Sequence, residues 1–434
     1  MRLVLGNRHM IAAGGTEVHL LVLGEHLQRL GHEVVVYAPE LGPFADHVRR
    51  RGVEIVANAR ELPEACDVVF SQDAIVVHDL AARFPGALHV FRVCGDVADF
   101  QLPPQVAGEL DLIVALSDRY VRAAEACAVD VPVVRLRVPI DTDRLVPLGA
   151  LHERPRRAVL LGNYLERDVA VTAAWSGAGL EVERIGGSVQ SYDVATAVAD
   201  ADIVIAKARA ALDAMACGRA VYVFDVFGGD GWVTPASYPA LEADNFAGQA
   251  TGRVLDGRAL ARDLEDYRPE MGAINRDLIL QHHGARDHVI AFLAAIADRV
   301  PAARRDDVPL RELSRLTAMQ WSWELTAREF RTMHWPLREH AAQSEQRAAA
   351  ASGAADAAVR EAQAARREAE AVAQAARTER DAAEERARAL EARVAAADAA
   401  AAARAKELAA MRATRAWRLA GSFWRVKDRL RRSG

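Results

Sequence analysis

Two cations stand at the beginning of one helical segment, where the helix dipole is already positive. In the stretch AKARAALDAMACGRAVYVFD an apolar strand ends at Lys207, and Arg209 lies in the first turn of the helix that follows. Cations at this end of a helix oppose the dipole unless an anion binds there too. Asp213 adds a carboxylate to the same helix. The pattern predicts an anion site at this helix start, and a solvated loop is the alternative.

The elements around this helix alternate between short apolar strands and helical segments. Strand patterns such as RLVLG, EVVVYAP and ALHVFRV fill the first third of the chain, and a second series follows a linker rich in proline and charge. Parallel sheets covered by helices on both faces produce this pattern. The sequence predicts an α/β fold with two Rossmann-like, doubly wound domains, 1–150 and 151–300, facing a cleft. One long helix, INRDLILQHHGARDHVIAFLAAIADR, is expected to close the second domain.

Glycines mark two further segments at the expected cleft. Gly14 and Gly15 separate the first strand from the first helix, where absent side chains let backbone N–H groups approach an anion. The segment FGGDGWVTP is predicted to form a flexible loop at the cleft, with Trp232 able to stack on a base or a sugar. Its candidate ligand-binding residues are Gly229, Asp230, Gly231 and Trp232. Ordinary structural turns are the alternative for both segments.

The composition changes after residue 300. A helical linker is expected over 301–340, and the alanine-, arginine- and glutamate-rich segment 341–412 is predicted to form one long helix. A heptad seam through Leu390, Val394 and Leu408 favours a coiled coil and a homo-oligomer. Because alanine fills most of the seam, an isolated charged helix is the alternative.

The last segment, 413–434, is strongly basic and amphipathic. From Arg412 onward the chain has eight arginine and lysine residues and a single acid, Asp428, and Leu419, Phe423, Val426 and Leu430 share one helical face. This pattern is typical of a helix that binds an anionic membrane surface. A helix that binds a partner protein or caps an oligomer is the alternative.

Bulk properties exclude several classes of protein. A formal net charge of -5 gives no indication of a nucleic-acid partner. No apolar run approaches the length of a membrane span, and the start does not resemble a signal peptide, so a cytoplasmic location is expected, with peripheral attachment to the inner face of the cell membrane. The cysteines are predicted to be reduced thiols, with no metal cluster, at Cys66, Cys94, Cys127 and Cys217.

Three stretches resemble the GT-B glycosyltransferases, and within them the retaining, family 4-like enzymes. They are AGGTEVHLLVLGEHLQRLGHEVVVYAP, VPIDTDRLVP and LDAMACGRAVYV, and the resemblance covers residues 1 to about 300. It implies retaining transfer of a sugar from a nucleotide diphosphate donor in the second domain. The acceptor implied is a glycan or lipid-linked molecule of cell-envelope polysaccharide biosynthesis, held by the first domain. No metal or other cofactor is expected.

The resemblance also implies roles for individual residues. Asp213 matches the family's glutamate that binds the donor ribose, and Lys207 and Arg209 are expected to clamp the leaving diphosphate. Asn163 and Arg167 follow the first strand of the second domain, where the family carries phosphate-binding cations.

The chain departs from the family at two positions. The acid expected eight residues before Asp213 is replaced by Ile205, and Cys94-Gly95-Asp96 stands where the family has histidine-glycine. Asp96 is the candidate catalytic group there, with a strand-end cap as the alternative, and His9 and His78 are further candidates. The departures leave an alternative function: a catalytically inactive GT-B-like scaffold that organises an assembly through its coiled coil.

Overall fold

The computed structural model describes most of the chain in two compact units, Met1–Glu329 and Phe330–Gly434. The described residues are 1–96, 99–104, 108–127, 129–162, 169–186, 191–225, 228–253, 255–302, 313, 316–317, 320–325, 327 and 365–412. The candidate residues Asn163 and Arg167, and the basic segment 413–434, lie outside them.

A seven-stranded parallel sheet forms the centre of the first domain, in the order β5-β3-β1-β6-β7-β8-β9. The strands are β1 (Arg2–Gly6), β2 (His9–Met10), β3 (Glu33–Tyr37), β4 (Glu40–Leu41), β5 (Glu54–Val56), β6 (Val68–Ser71), β7 (Leu88–Val93), β8 (Leu112–Ala115) and β9 (Val133–Arg135), with β2 and β4 paired separately. The helices are α1 (Gly15–Arg29), α2 (Pro43–Arg50), α3 (Ala74–Arg83) and α4 (Asp118–Ala126). Leu3, Val4 and Leu5 of β1 are fully buried, as expected where helices cover both faces of a sheet.

The second domain has a five-stranded sheet in the order β11-β10-β12-β13-β14, in which only β14 is antiparallel. The strands are β10 (Arg157–Leu161), β11 (Glu181–Ile185), β12 (Ile203–Ala206), β13 (Ala220–Asp225) and β14 (Gly228–Trp232). The helices are α5 (Val169–Gly177), α6 (Val194–Ala197), α7 (Ala208–Ala216), α8 (Tyr238–Ala243), α9 (Gly257–Leu264), α10 (Glu270–His282) and α11 (Ala285–Ile296). Two doubly wound α/β sheets are thus confirmed.

The segment 228–232 is a strand, so the prediction of a flexible loop there was wrong. Gly228 and Gly229 pair with Asp225 and Phe224 across an irregular register. A Cβ at Gly229 would lie 2.6 Å from Leu255 Cδ1 and 2.9 Å from Phe224 Cδ2. The glycine therefore serves close packing between β13 and β14.

The single helix expected at the end of the second domain is two helices, α10 and α11. The break allows the backbone at His283 and Gly284 to pair with the interdomain segment: Ile140 N–H donates to the His283 carbonyl at 2.8 Å, and Ala285 N–H donates to the Ile140 carbonyl at 3.0 Å. Beyond the break, α11 packs on α1 of the first domain. The periodic pattern continues through both helices, which is why it concealed the break.

The second unit contains α12 (Ala365–Arg412), a continuous helix of 48 residues. This confirms the predicted long helix over these residues, whereas 341–364 lie outside the described part of the chain. Val394 and Leu408 of the heptad seam are 52% and 48% exposed. Within the described residues, no helix is long and apolar enough to cross a membrane, and all four cysteines are free thiols.

Candidate anion-binding site

The start of α7 is a helix N-terminus without a neutralising acid. Lys207 is the N-cap residue and makes no side-chain capping bond, and the first turn contains no acidic residue. Ala208 has a φ of 50°, a left-handed conformation that costs energy in a residue with a Cβ, and its N–H donates to the Phe246 carbonyl at 2.8 Å. The strained entry and the uncompensated dipole lie at the carboxyl end of β12, where ligands bind in open α/β sheets.

Lys207 is neutralised within its own domain. Its Nζ lies 2.6 Å from Oδ2 of Asp225, the last residue of β13. The Asp225 side chain is 3% exposed and that of Lys207 is 21% exposed. The ammonium group is therefore held at the carboxyl ends of β12 and β13 and is partly open to solvent.

Arg209 and Asp213 form a buried pair one turn apart. Arg209 Nε lies 3.5 Å from Asp213 Oδ2, and Arg209 Nη1 donates to the Pro139 carbonyl at 3.1 Å. Burial raises the pKa of Asp213, and the charge of Arg209 acts in the opposite direction. Arg209 Nε and Asp213 Oδ1 have no hydrogen-bond partner among the described residues. Both side chains thus have capacity for a ligand.

The N-terminus of α1 faces the start of α7. A Cβ on Gly15 would lie 3.6 Å from Arg209 Cβ, so the two domains are in contact here. Unlike α7, α1 already has a carboxylate at this end: Glu17 Oε1 lies 3.0 Å from His9 Nδ1, and Thr16 Oγ1 donates to Glu17 Oε2 at 2.8 Å. A Cβ on Gly14 would overlap the Glu17 carboxylate. Gly14 therefore leaves room for the Glu17 carboxylate, and the open helix start is that of α7.

Four buried polar residues complete this region, and the sequence did not single them out: Arg92, Gln72, His19 and His288. Arg92, at the end of β7, donates to Gln72 Oε1, and Gln72 Nε2 donates to the Thr16 carbonyl at 3.0 Å. The His19 ring stacks on Phe70 at 5.9 Å and meets the His288 ring edge-on at 5.5 Å. The signal for Arg92 was present: an arginine inside the mostly apolar strand ALHVFRV is unusual, because arginine is rarely buried without a partner.

Burial and neighbouring cations keep the two histidines neutral. The pKa of His19 lies well below its usual value, mainly through burial and secondly through Arg92. Burial lowers the pKa of His288 to about 4, although the Arg137 carbonyl at 2.7 Å from Nδ1 favours the protonated form. Because a carbonyl only accepts, Nδ1 carries the proton and Nε2 is unprotonated.

Asp96 is part of a link between the domains. Arg119 of α4 binds it through Nε at 2.7 Å and Nη2 at 3.1 Å, and this hydrogen bonding raises the pKa of Arg119. Arg119 Nη1 also lies 3.1 Å from both Asp244 Oδ1 and Gln249 Oε1 of the second domain. The Asp96 carboxylate is thus occupied by Arg119 in this structure.

The candidate residues of β14 lie next to one another, but their side chains contact other residues of the second domain. Asp230 accepts from the N–H and Oγ1 of Thr251, both at 2.8 Å. Trp232 donates to the Asp263 carbonyl at 2.6 Å and packs against the rings of Trp175 and Tyr222. Gly231 has a φ of 82°, a backbone conformation that favours glycine. None of these contacts points to a stacking surface for a ligand.

The two remaining positions singled out from the sequence, His78 and Ile205, are buried. His78 Nδ1 lies 2.9 Å from Glu109 Oε1, and both side chains are buried. Ile205, at the position of the missing family acid, is fully buried in β12. Among the described residues, no group of three or more histidine, cysteine, aspartate or glutamate side chains is placed to hold a metal ion. Two surface cavities, each of about 370 Å³, lie away from the helix starts. One is lined by Asp111 and Asp298, and the other by Met1 and Asp67.

Comparison with solved structures identifies the fold of these two domains. Anabaena HepE in complex with UDP and glucose is 11% identical, and the match covers 69% of this chain and 100% of that chain with a TM-score of 0.50. A glycosyltransferase from Rickettsia africae is also 11% identical, covering 68% and 97% with a TM-score of 0.41. Neither a protein-family model nor a curated protein matches the sequence. The two domains have the GT-B fold, as predicted.

Proposed function

We propose that the protein is a glycosyltransferase that uses a nucleotide diphosphate sugar, bound by the second domain at the start of α7. The observation that carries this proposal is the open helix N-terminus with Lys207 and Arg209 beside it, at the carboxyl ends of the strands of a GT-B domain. The HepE structure, which contains UDP and glucose, supports the same class of donor. Asp213 and its unpartnered Oδ1 are assigned to the donor ribose.

Rate acceleration in this proposal comes from stabilising the leaving diphosphate. The dipole of α7, Lys207 and Arg209 place positive charge where negative charge develops as the bond to the sugar breaks. Arg209 binds phosphate oxygens in a bidentate manner, whereas Lys207 acts as a point charge after leaving Asp225. Arg167 and Asn163 belong to the same proposal from the sequence alone.

We propose transfer with retention, on the family resemblance. A second stereochemical outcome has an observation in its favour: His9 and Glu17 form an imidazole–carboxylate pair beside the end of β1, and the His9 side chain is 32% exposed. Such a pair can act as a general base for an acceptor hydroxyl, which would give inversion. NMR of the sugar anomer released during donor hydrolysis, in the wild-type protein and in His9→Gln, distinguishes the two.

Calorimetric titration with common nucleotide sugars tests the donor site. Lys207→Ala and Arg209→Ala are each expected to weaken donor binding about ten- to hundredfold, the effect of losing a charged hydrogen bond to phosphate. Arg258→Ala, at an exposed arginine of α9, is the matched control and should bind like the wild-type protein. Unchanged affinity in both variants would rule out this phosphate site, and no binding of any donor by the wild-type protein would favour the inactive scaffold.

We further propose an acceptor at the inner face of the cell membrane and an oligomer formed through α12. The basic pattern of 413–434 supports the first proposal, and the exposed seam residues Val394 and Leu408 support the second. Flotation with anionic liposomes, with and without residues 413–434, tests membrane binding. Sedimentation of the full chain tests the oligomer, since a monomer would leave α12 an isolated charged helix.

A further inference from the structure

Unsatisfied buried polar atoms concentrate where α1, β7 and α11 meet the start of α7. They are Arg92 Nε, both ring nitrogens of His19, His288 Nε2, Arg209 Nε and Asp213 Oδ1. All five side chains belong to residues no more than 8% exposed. Buried polar atoms in proteins nearly always have a partner, so a cluster without partners indicates a place for a bound group.

The charge of this cluster indicates an anion. It contains two guanidinium groups, Arg92 and Arg209, and two neutral imidazoles. Each carboxylate beside it already has a contact: Asp213 Oδ2 lies 3.5 Å from Arg209 Nε, and Glu17 lies 3.0 Å from His9 Nδ1 and accepts from Thr16 Oγ1. Burial lowers the pKa of Arg92 to about 10, and the positive charge of Arg209 acts in the same direction. Two cations from different domains therefore repel each other in a region of low dielectric.

Both arginines lie close to one short backbone segment, Gly15 and Thr16 at the start of α1. Arg92 reaches the carbonyl of Thr16 through Gln72, and Arg209 lies against Gly15, the preceding residue. Arg92 is fixed by a strand end of the first domain and Arg209 by a helix start of the second. An anion between them would contact both domains.

We propose that Arg92 is the first-domain half of a two-domain clamp, in which Arg92 and Arg209, one from each domain, bind the diphosphate of the donor. The proposal rests on the proposed function and adds a residue to it. Guanidinium groups suit this task because their planar N–H forks match phosphate oxygens. The clamp couples binding to domain closure: without the anion the arginines repel, and with it they attract a common partner.

Thermal unfolding with and without inorganic pyrophosphate tests the clamp. Pyrophosphate should raise the Tm of the wild-type protein and of Arg122→Gln, a control at an exposed arginine of α4. Arg92→Gln and Arg209→Gln should each lose most of this rise, and the double variant should lose little more. Without pyrophosphate, Arg92→Gln should unfold at or above the wild-type Tm because the repulsion is removed. Arg92→Lys, which keeps the charge but not the fork, should retain part of the rise.

The outcomes separate this inference from the proposed function. An Arg92→Gln protein with a lower Tm and the full pyrophosphate response would make Arg92 a packing residue, and the donor site at α7 would stand. Donor binding by calorimetry without any pyrophosphate response in the wild-type protein would also overturn the clamp alone. A pyrophosphate response that needs both arginines, with no binding of any nucleotide sugar, would retain the clamp and overturn the proposed donor.

Discussion

At the scale of single residues, Glu17 determines which of two facing helix starts is open to a ligand. Its carboxylate lies in the first turn of α1, where the dipole favours negative charge, and it lies 3.0 Å from His9 Nδ1 and accepts a hydrogen bond from Thr16 Oγ1. The corresponding turn of α7 contains Arg209 and no acid. Of these two helix starts, α7 is therefore the one to which the proposed function assigns an anionic ligand.

Gly14→Ala tests the position of this carboxylate. The added Cβ would overlap Glu17, so the carboxylate must leave the helix start and the protein should lose about 1–3 kcal/mol of unfolding free energy. Gly177→Ala at the end of α5 is the control: no atom lies within 4 Å of its Cβ position, and stability should be unchanged or increased. Urea unfolding measures both variants, and equal stabilities would show that Glu17 adapts without cost.

The sequence predicted part of the site at this scale. Lys207 and Arg209 were singled out because cations at a helix start conflict with the dipole, and that conflict is visible in the sequence. Asp213 was singled out because it matches the family's glutamate that binds the donor ribose. Arg92 was missed because its importance depends on a neighbour far along the chain. The occupation of Asp96 by Arg119 could not be predicted either, since pairing between distant side chains leaves no pattern in sequence spacing.

At the scale of elements, α4 connects the two domains through one side chain. Arg119 binds Asp96 in its own domain and Asp244 and Gln249 in the other. Arg135 of β9 adds a second link, at 2.5 Å from Glu242 of α8. These ion pairs connect the two domains along one side of their boundary.

Arg119→Gln should weaken this closed arrangement. The substitution leaves Asp244 without its cation, and we expect a loss of about 1–3 kcal/mol of unfolding free energy together with a larger radius of gyration. Small-angle X-ray scattering and urea unfolding measure the two effects. Arg122→Gln, on the exposed side of the same helix, should change neither. A scattering profile identical to that of the wild-type protein would show that other contacts suffice for closure.

The alternation of strands and helices was predictable at this scale, and two local departures were not. Apolar strand patterns predicted β1, β3 and β6 to β8 of the first sheet because buried parallel strands leave a strong signal. The break between α10 and α11 depends on pairing with Ile140, and the glycines of β14 suggested a loop although they serve close packing. Both depend on tertiary contacts that local propensity does not report.

At the scale of the whole molecule, buried histidines make stability depend on pH. Burial lowers the pKa of His283 to about 3 and that of His288 to about 4. An imidazole in the unfolded chain has a pKa near 6.5. Between pH 6.5 and about pH 4 these histidines are therefore protonated in the unfolded state but neutral in the folded state. Their contribution to stability is complete above pH 6.5 and is lost as the pH falls. Asp73, whose pKa burial raises to about 6, acts in the opposite direction and offsets only part of the loss.

Urea unfolding at pH 7.5 and 5.0 should show this loss, about 2 kcal/mol for each histidine. His283→Asn keeps a donor for the Val138 carbonyl and removes one titrating group, so the difference between the two pH values should shrink. His282→Asn, at the adjacent exposed histidine, should change the difference much less, because burial is the largest cause of the low pKa of His283 and the charge of His282 is a smaller one. Equal stability of the wild-type protein at both pH values would contradict the assignment of these imidazoles as neutral.

The crossing of α11 onto the first domain has a consequence for synthesis on the ribosome. Phe292 and His288 of α11 pack on Phe70 and His19, so the amino-terminal domain is completed by residues that follow the whole second sheet. The first domain therefore has an uncovered apolar face until α11 has been synthesised and has left the ribosome. Domains generally fold in the order of synthesis. In this protein the first domain is synthesised first, but its packing is completed only after the second sheet has been synthesised.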